Sequence, residues 1–124
     1  MGLQKLRPML STNQLKETID FYTTKLGFIL LHGGDEFGWV AIYRDNVEIM
    51  FTKPNEHIPF DKPTCTGSFY INVDNVDQIW AELKGVTKIV YDIEEFEYGM
   101  REFAIYDNNN YIIQFGQNIE EIKK

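Results

Sequence analysis

A single cysteine, Cys65, leaves no partner for an internal disulfide. No apolar run approaches the ~18 residues of a membrane span, and nothing resembles a signal peptide, so the chain is expected in the cytoplasm. Basic residues are also short, 12 against 19 acidic, for a net charge of −7. Phosphate backbones and anionic membranes would be repelled over most of such a surface, whereas a cation would be drawn to it. Neither nucleic acid nor membrane is an expected partner. Three of the four prolines, Pro54, Pro59 and Pro63, fall in one stretch, residues 54–66, which reads as an ordered connection between two halves.

Aromatic residues are plentiful, at 15 % of 124 residues. They suit either a dense core or a ligand-lined cavity. The most informative stretch is residues 99–116, two apolar runs joined by Asp107-Asn108-Asn109-Asn110, and residues 39–51 echo it. Both copies contain Ala-Ile-Tyr, then a turn of Asp and Asn, then an apolar strand carrying a polar residue. Asp and Asn tolerate positive φ and bond their own backbone, so each copy is expected to be a β-hairpin.

The remainder of each half follows one plan. Residues 5–11 alternate as a strand, which Pro8 restricts to an edge or an arm. Asn13 is then expected to cap a helix carrying Leu15, Ile19, Tyr22 and Leu26 on one face, stopped at Gly27. A strand over 28–31 ends at Gly33-Gly34 and precedes the first hairpin, residues 37–52. From Gly67 the order repeats: strand 68–73, a helix capped by Asp74 or Asn75 and stopped at Gly85, a strand around 88–91, an exposed loop at Glu94, Glu95 and Glu97, then the second hairpin. The predicted class is α+β, two tandem βαβββ modules at about 4–53 and 67–118 in a single domain of residues 1–124. An offset of 61 lays Arg7 on Ser68 and Leu15 on Val76; in the hairpins Ala41 falls on Ala104 and Glu48 on Gln114.

Strand parity sorts the side chains, since alternate residues face opposite sides of a sheet. The uniformly apolar set, including Val40, Ile42, Ile49, Phe51, Phe103, Ile105, Ile113 and Phe115, should pack beneath the helices. The mixed set holds Arg7, Met9, Phe37, Trp39, Glu48, Met50, Ser68, Tyr70, Glu102 and Gln114. If the sheets curl around a cup, this second set lines it. Apolar area with a few polar groups fits a small-molecule site; a face turned to solvent or a second subunit is the alternative.

The strings Ile19-Asp20-Phe21-Tyr22-Thr23-Thr24-Lys25-Leu26-Gly27-Phe28 and Gly99-Met100-Arg101-Glu102-Phe103-Ala104-Ile105-Tyr106-Asp107-Asn108-Asn109-Asn110, with this order of elements, resemble the vicinal oxygen chelate superfamily. That superfamily holds glyoxalase I, extradiol dioxygenases and the fosfomycin and bleomycin resistance proteins. Pro8, Asp35-Glu36-Phe37, Arg44-Asp45-Asn46-Val47 and Arg101-Glu102-Phe103 look most like the bleomycin resistance members. The resemblance implies metal positions at Arg7, Glu48, Ser68 and Gln114 in the metal-dependent members. Here Arg7 is a permanent cation and only Glu48 is a good ligand. His32, at a strand end, and His57, in the linker, do not belong to the inward set, and neither Cys65 nor any serine has a histidine at triad spacing. No metal, no other cofactor and no catalytic residue is therefore expected.

The resemblance further implies a homodimer whose groove is built from modules of both chains and stacks a cationic, ring-bearing drug between aromatic rings; each module curls only half a barrel, and the first strand, carrying Pro8, could cross to the partner as an exchanged arm. Phe37 and Tyr98 match such aromatic positions, and Trp39 could add a third. Arg7 is expected to pair with Glu48. The ligand-binding set is thus Arg7, Phe37, Trp39, Glu48, Met50, Tyr70, Tyr98, Glu102 and Gln114, for sequestration of an aromatic, antibiotic-like ligand. The competing reading is a glyoxalase- or dioxygenase-type metalloenzyme built on Glu48 and Gln114.

Overall fold

Two hairpins anchor the chain in the computed structural model, which describes residues 2–54, 61–65 and 67–123. In the first, β3 (Trp39–Arg44) and β4 (Val47–Thr52) run antiparallel, and Asp45 takes a positive φ of 53° at their turn. In the second, β7 (Met100–Tyr106) pairs with β8 (Ile112–Asn118). Its longer turn closes on Asp107, whose Oδ1 accepts the Asn109 and Tyr111 N–H groups at 2.8 and 2.9 Å, while Asn110 takes φ 65°. The Asp and Asn residues thus form both turns, Asp45 and Asn110 by taking a positive φ and Asp107 by bonding its own backbone.

Each hairpin is completed in the same way. β1 (Met9–Ser11) lies parallel to β4, and β2 (Ile29–Gly34) antiparallel to β3, in the order β1-β4-β3-β2. β5 (Phe69–Asn72) lies parallel to β8, and β6 (Lys88–Glu95) antiparallel to β7, in the order β5-β8-β7-β6. A parallel pair needs a crossover, and helices α1 (Leu15–Thr24) and α2 (Val76–Leu83) follow β1 and β5. The fold is α+β, strand-helix-three strands twice over. The chain divides into two compact units, Met1–Pro63 and Thr64–Lys124.

In the first unit Leu15, Tyr22, Leu26 and Phe28 are buried with Val40, Ile42, Ile49 and Phe51, and the Tyr22 ring lies 5.1 Å from that of Phe51. In the second, Val76 and Leu83 are buried with Phe103, Ile105, Ile113 and Phe115, and Trp80 packs edge-on to Phe103 at 5.1 Å. These are the strand residues that parity assigned to the helix side. Burying each such side chain contributes roughly 1.5–3 kcal/mol, so this face holds each sheet to its helix.

Several boundaries differ from the expectation. Gln14, not Asn13, occupies the α1 cap position: Thr12 Oγ1 accepts the Gln14 N–H at 3.0 Å and delays the helix by a residue, while the Asn13 amide donates to the Asp61 carbonyl. Asn75 does cap α2, its Oδ1 accepting the Gln78 N–H at 3.2 Å. The alternating stretch 5–11 contributes only Met9–Ser11 to the sheet. Glu94 and Glu95 are not loop residues but the end of β6, which two register shifts carry past Tyr91. A short helix α3 (Ile119–Ile122), capped by Asn118, had no signal in the pattern. In the linker, Pro54 and Pro63 are described, whereas Pro59 and His57 lie outside the described residues.

Candidate functional site

Strand order in the second unit aligns a row of side chains across one face. Tyr70 on β5 is opposite Gln114 on β8, Gln114 is opposite Ala104 on β7, and Ala104 is opposite Tyr91 on β6. The neighbouring row joins Gly116, Glu102 and Glu94. Between the large residues stand the small ones, Ala104 and Gly116. A Cβ at Gly116 would overlap the Tyr70 hydroxyl and lie 2.6 Å from its Cζ, so only glycine lets the Tyr70 ring cross β8 to reach β7.

Glu102 is what the ring reaches. The residue is fully buried, and both of its carboxylate oxygens are engaged: Tyr70 donates to Oε1 at 2.8 Å and Tyr91 donates to Oε2. Gln114 Nε2 donates to the Tyr91 hydroxyl at 2.9 Å and approaches Glu102 Oε2 at 3.4 Å, while Ser68 donates to Gln114 Oε1. Burial of a carboxylate is tolerated because its oxygens are bonded from both sides of the strand. Desolvation, then the bond to Glu102, pushes the Tyr70 phenol well above its ordinary value; the same causes push Tyr91 up to about 12. Tyr98 is also pushed up to about 12, by desolvation and then by Glu102.

Aromatic rings extend the network outward. Tyr91 packs edge-on to Phe96 at 5.6 Å, and Phe96 stacks on Tyr98 at 5.4 Å with planes 13° apart. Tyr70 and Tyr98 keep 39 % and 62 % of their surface open, so aromatic faces are offered beside a buried negative charge. Arg101, on the opposite parity, forks onto Asp77 of α2 at 2.8 and 3.1 Å and ties β7 to that helix.

In the first unit Arg7 Nη1 donates to Glu48 Oε2 at 2.9 Å, the pair expected from the sequence, and Lys5 Nζ lies 3.7 Å from Oε1. The Glu48 side chain is nearly buried under these two half-exposed cations. Met50 lies opposite Met9, half-buried; Trp39 opens β3, also half-buried; and Phe37 stands exposed on the short turn Asp35–Phe37 before it. Of the sequence-selected residues, the structure therefore brings Tyr70, Glu102, Gln114 and Ser68 into one network with Tyr98 nearby, and separately joins Arg7 to Glu48.

The observed pairing also corrects the internal alignment of the halves. Ala41 is opposite Met50 whereas Ala104 is opposite Gln114, so Met50, not Glu48, is the counterpart of Gln114. The path from Ala41 to Met50 is one residue shorter than that from Ala104 to Gln114, not the three that pairing Glu48 with Gln114 requires, and Glu48 falls instead on Ile112, opposite the matching tyrosines. Tyr91, Phe96 and Gly116 were missed. The bulges in β6 break the parity that would have revealed Tyr91, and Phe96 is hidden between glutamates.

The metal implied by the superfamily does not fit these side chains. Arg7 already occupies Glu48, Ser68 and Gln114 bond each other, and tyrosine protons cover Glu102. Among the described residues no three His, Cys, Asp or Glu side chains converge as ligands, and His32 is exposed on β2. Among those residues, too, no helix is long and apolar enough to cross a membrane.

The Glyoxalase/Bleomycin resistance protein/Dioxygenase superfamily profile matches residues 6–115. A bleomycin resistance protein of Geobacillus stearothermophilus is 28 % identical over 128 aligned positions, covering 91 % of this chain and 96 % of its own. A glyoxalase/bleomycin resistance protein/dioxygenase from Nocardioides superposes with a TM-score of 0.78 at 14 % identity, over 97 % of this chain and 87 % of its own. One of the same description from Alicyclobacillus acidocaldarius gives 0.75 at 17 %, over 93 % and 91 %. The chain belongs to the glyoxalase/bleomycin resistance protein/dioxygenase superfamily.

Proposed function

We propose that this protein binds a small molecule without metal and sequesters it unchanged, the ligand being aromatic, cationic and antibiotic-like. The observation that carries the reading is the buried Glu102 carboxylate ringed by Tyr70, Tyr91 and Gln114, with the Phe96–Tyr98 stack alongside. A buried anion beside open aromatic faces attracts a flat cation twice, through charge and through the rings, at roughly 0.5–2 kcal/mol per face. The overall charge of −7 adds long-range attraction of the same sign. The relative from Geobacillus stearothermophilus, a bleomycin resistance protein by name, makes a drug of this kind the first candidate.

The protein acts, in this reading, as a homodimer in which residues of both chains complete the binding groove. Leu3, Leu6 and Met9 are 104 %, 85 % and 51 % exposed around edge strand β1, an apolar segment suited to a second copy. Sedimentation velocity should give twice the monomer mass; a monomer across the micromolar range refutes the shared groove.

Titration calorimetry of chelator-treated protein with metal-free bleomycin and a panel of aromatic cations tests the binding. Micromolar or tighter, stoichiometric heat with at least one member is expected, and the ligand should be recovered chemically intact. Silence across the panel refutes sequestration. Stoichiometric divalent metal that survives purification and disappears in Glu48→Gln refutes the metal-free part.

A further inference from the structure

The protons of the Glu102 network all point inward. Tyr70 and Tyr91 spend their hydroxyl protons on Glu102, Ser68 spends its own on Gln114, and the Gln114 amide donates to Tyr91. A phenolic oxygen that donates still carries lone pairs, and donation to a carboxylate makes it a better acceptor. The accessible oxygens here, on half-open Tyr70 and exposed Ser68, are therefore acceptors with no proton of their own to offer outward.

Aromatic faces alone do not discriminate among cations: rings attract a trimethylammonium as readily as a protonated amine. The hydroxyls do. A quaternary head seated on Tyr70 strips water from its oxygen and returns no hydrogen bond, whereas an N–H cation replaces the water with a charge-assisted bond. Gly116 keeps this acceptor in place, because any Cβ there would displace the Tyr70 hydroxyl from Glu102.

Building on the binding function proposed above, we propose that the second unit selects cations bearing N–H groups, ammonium or amidinium, over permanently quaternised ones. Tyr70 is the specificity-determining acceptor, and Gly116 is the positioning residue that seats it.

Calorimetry with a matched pair tests this: 2-naphthylmethylammonium and its N,N,N-trimethyl counterpart, which share ring and charge. The primary ammonium should bind at least about tenfold tighter, the ratio that one charge-assisted hydrogen bond supplies. Tyr70→Phe and Gly116→Ala should each collapse the ratio toward one, with near-ultraviolet circular dichroism confirming that the variants are folded. Should either variant fail to fold, the wild-type ratio together with the other variant decides. Equal affinities, or a preference for the quaternary probe, overturn the N–H rule and leave sequestration standing. Binding of neither probe counts against both.

Discussion

Raising the pH should loosen the second unit through its phenols before the backbone is attacked, and Tyr91 gives a magnitude. Its phenol titrates near 10 in an unfolded chain and is pushed up to about 12 in the folded one, by desolvation and by the hydrogen bond to Glu102. A raised value means that the folded state keeps a proton which the unfolded state has released. The stabilisation is accordingly complete below pH 10 and is lost as pH climbs from 10 through 12. Linkage puts the loss attributable to Tyr91 at about 1 kcal/mol between pH 9 and pH 11. Tyr70 shifts in the same direction, but with 39 % of its surface open its share is screened and smaller. The assay is urea unfolding of wild type and Tyr91→Phe at both pH values, with phenolate absorbance at 295 nm followed in parallel. Tyr91→Phe leaves Glu102 short of one donor at every pH, a constant cost that cancels in the comparison. The stability advantage of wild type over the variant should shrink by about 1 kcal/mol from pH 9 to pH 11. An advantage that does not change with pH, or a Tyr91 phenol that ionises near pH 10 in folded protein, would refute the role given to Glu102.

Other perturbations separate binding from folding. Glu102→Gln removes a buried charge together with one acceptor, so its stability should change by only about 1–2 kcal/mol, whereas affinity for an aromatic ammonium should fall at least about tenfold by calorimetry. Asn75→Ala deprives the Gln78 N–H of its cap and should cost about 1 kcal/mol in urea unfolding with no change in ligand affinity beyond a factor of about two. Arg7→Met leaves the nearly buried Glu48 with Lys5 alone at 3.7 Å; a loss of about 1–3 kcal/mol is expected in urea unfolding at neutral pH.

Much of the fold was legible because it is carried by short-range rules: alternation in the strands, the Leu15–Tyr22 spacing on α1, the positive φ that Asp45 tolerates, and the Asx turn at Asp107. Boundaries set by one hydrogen bond were not. Thr12 moves the start of α1 past Asn13, and the bulges let β6 run on to Glu95, neither of which side-chain pattern encodes. The site was half visible. Parity selected Tyr70, Glu102 and Gln114 for one face, but it could not show that Glu102 is sealed beneath two phenols or that Gly116 is the opening through which Tyr70 reaches it. A glycine in a strand is ambiguous until something is found crossing it.

Duplication makes that glycine decisive. Superposing the two pairing schemes sets Met9 on Tyr70 by their opposite numbers Met50 and Gln114, Trp39 on Glu102 by their distance from Ala41 and Ala104, and Thr52 on Gly116. One backbone plan thus carries thioether and indole in its first copy, and phenol, carboxylate and amide in its second. The first copy could not host the second copy's network by exchanging Met9 and Trp39 alone. Thr52 has a Cβ at the place where the second copy leaves space, so a tyrosine at position 9 would be stopped short and a carboxylate at position 39 would lose its donor. The phenol-to-carboxylate bond therefore needs a tyrosine, a buried carboxylate and an absent side chain together, and of the two copies the second alone combines them.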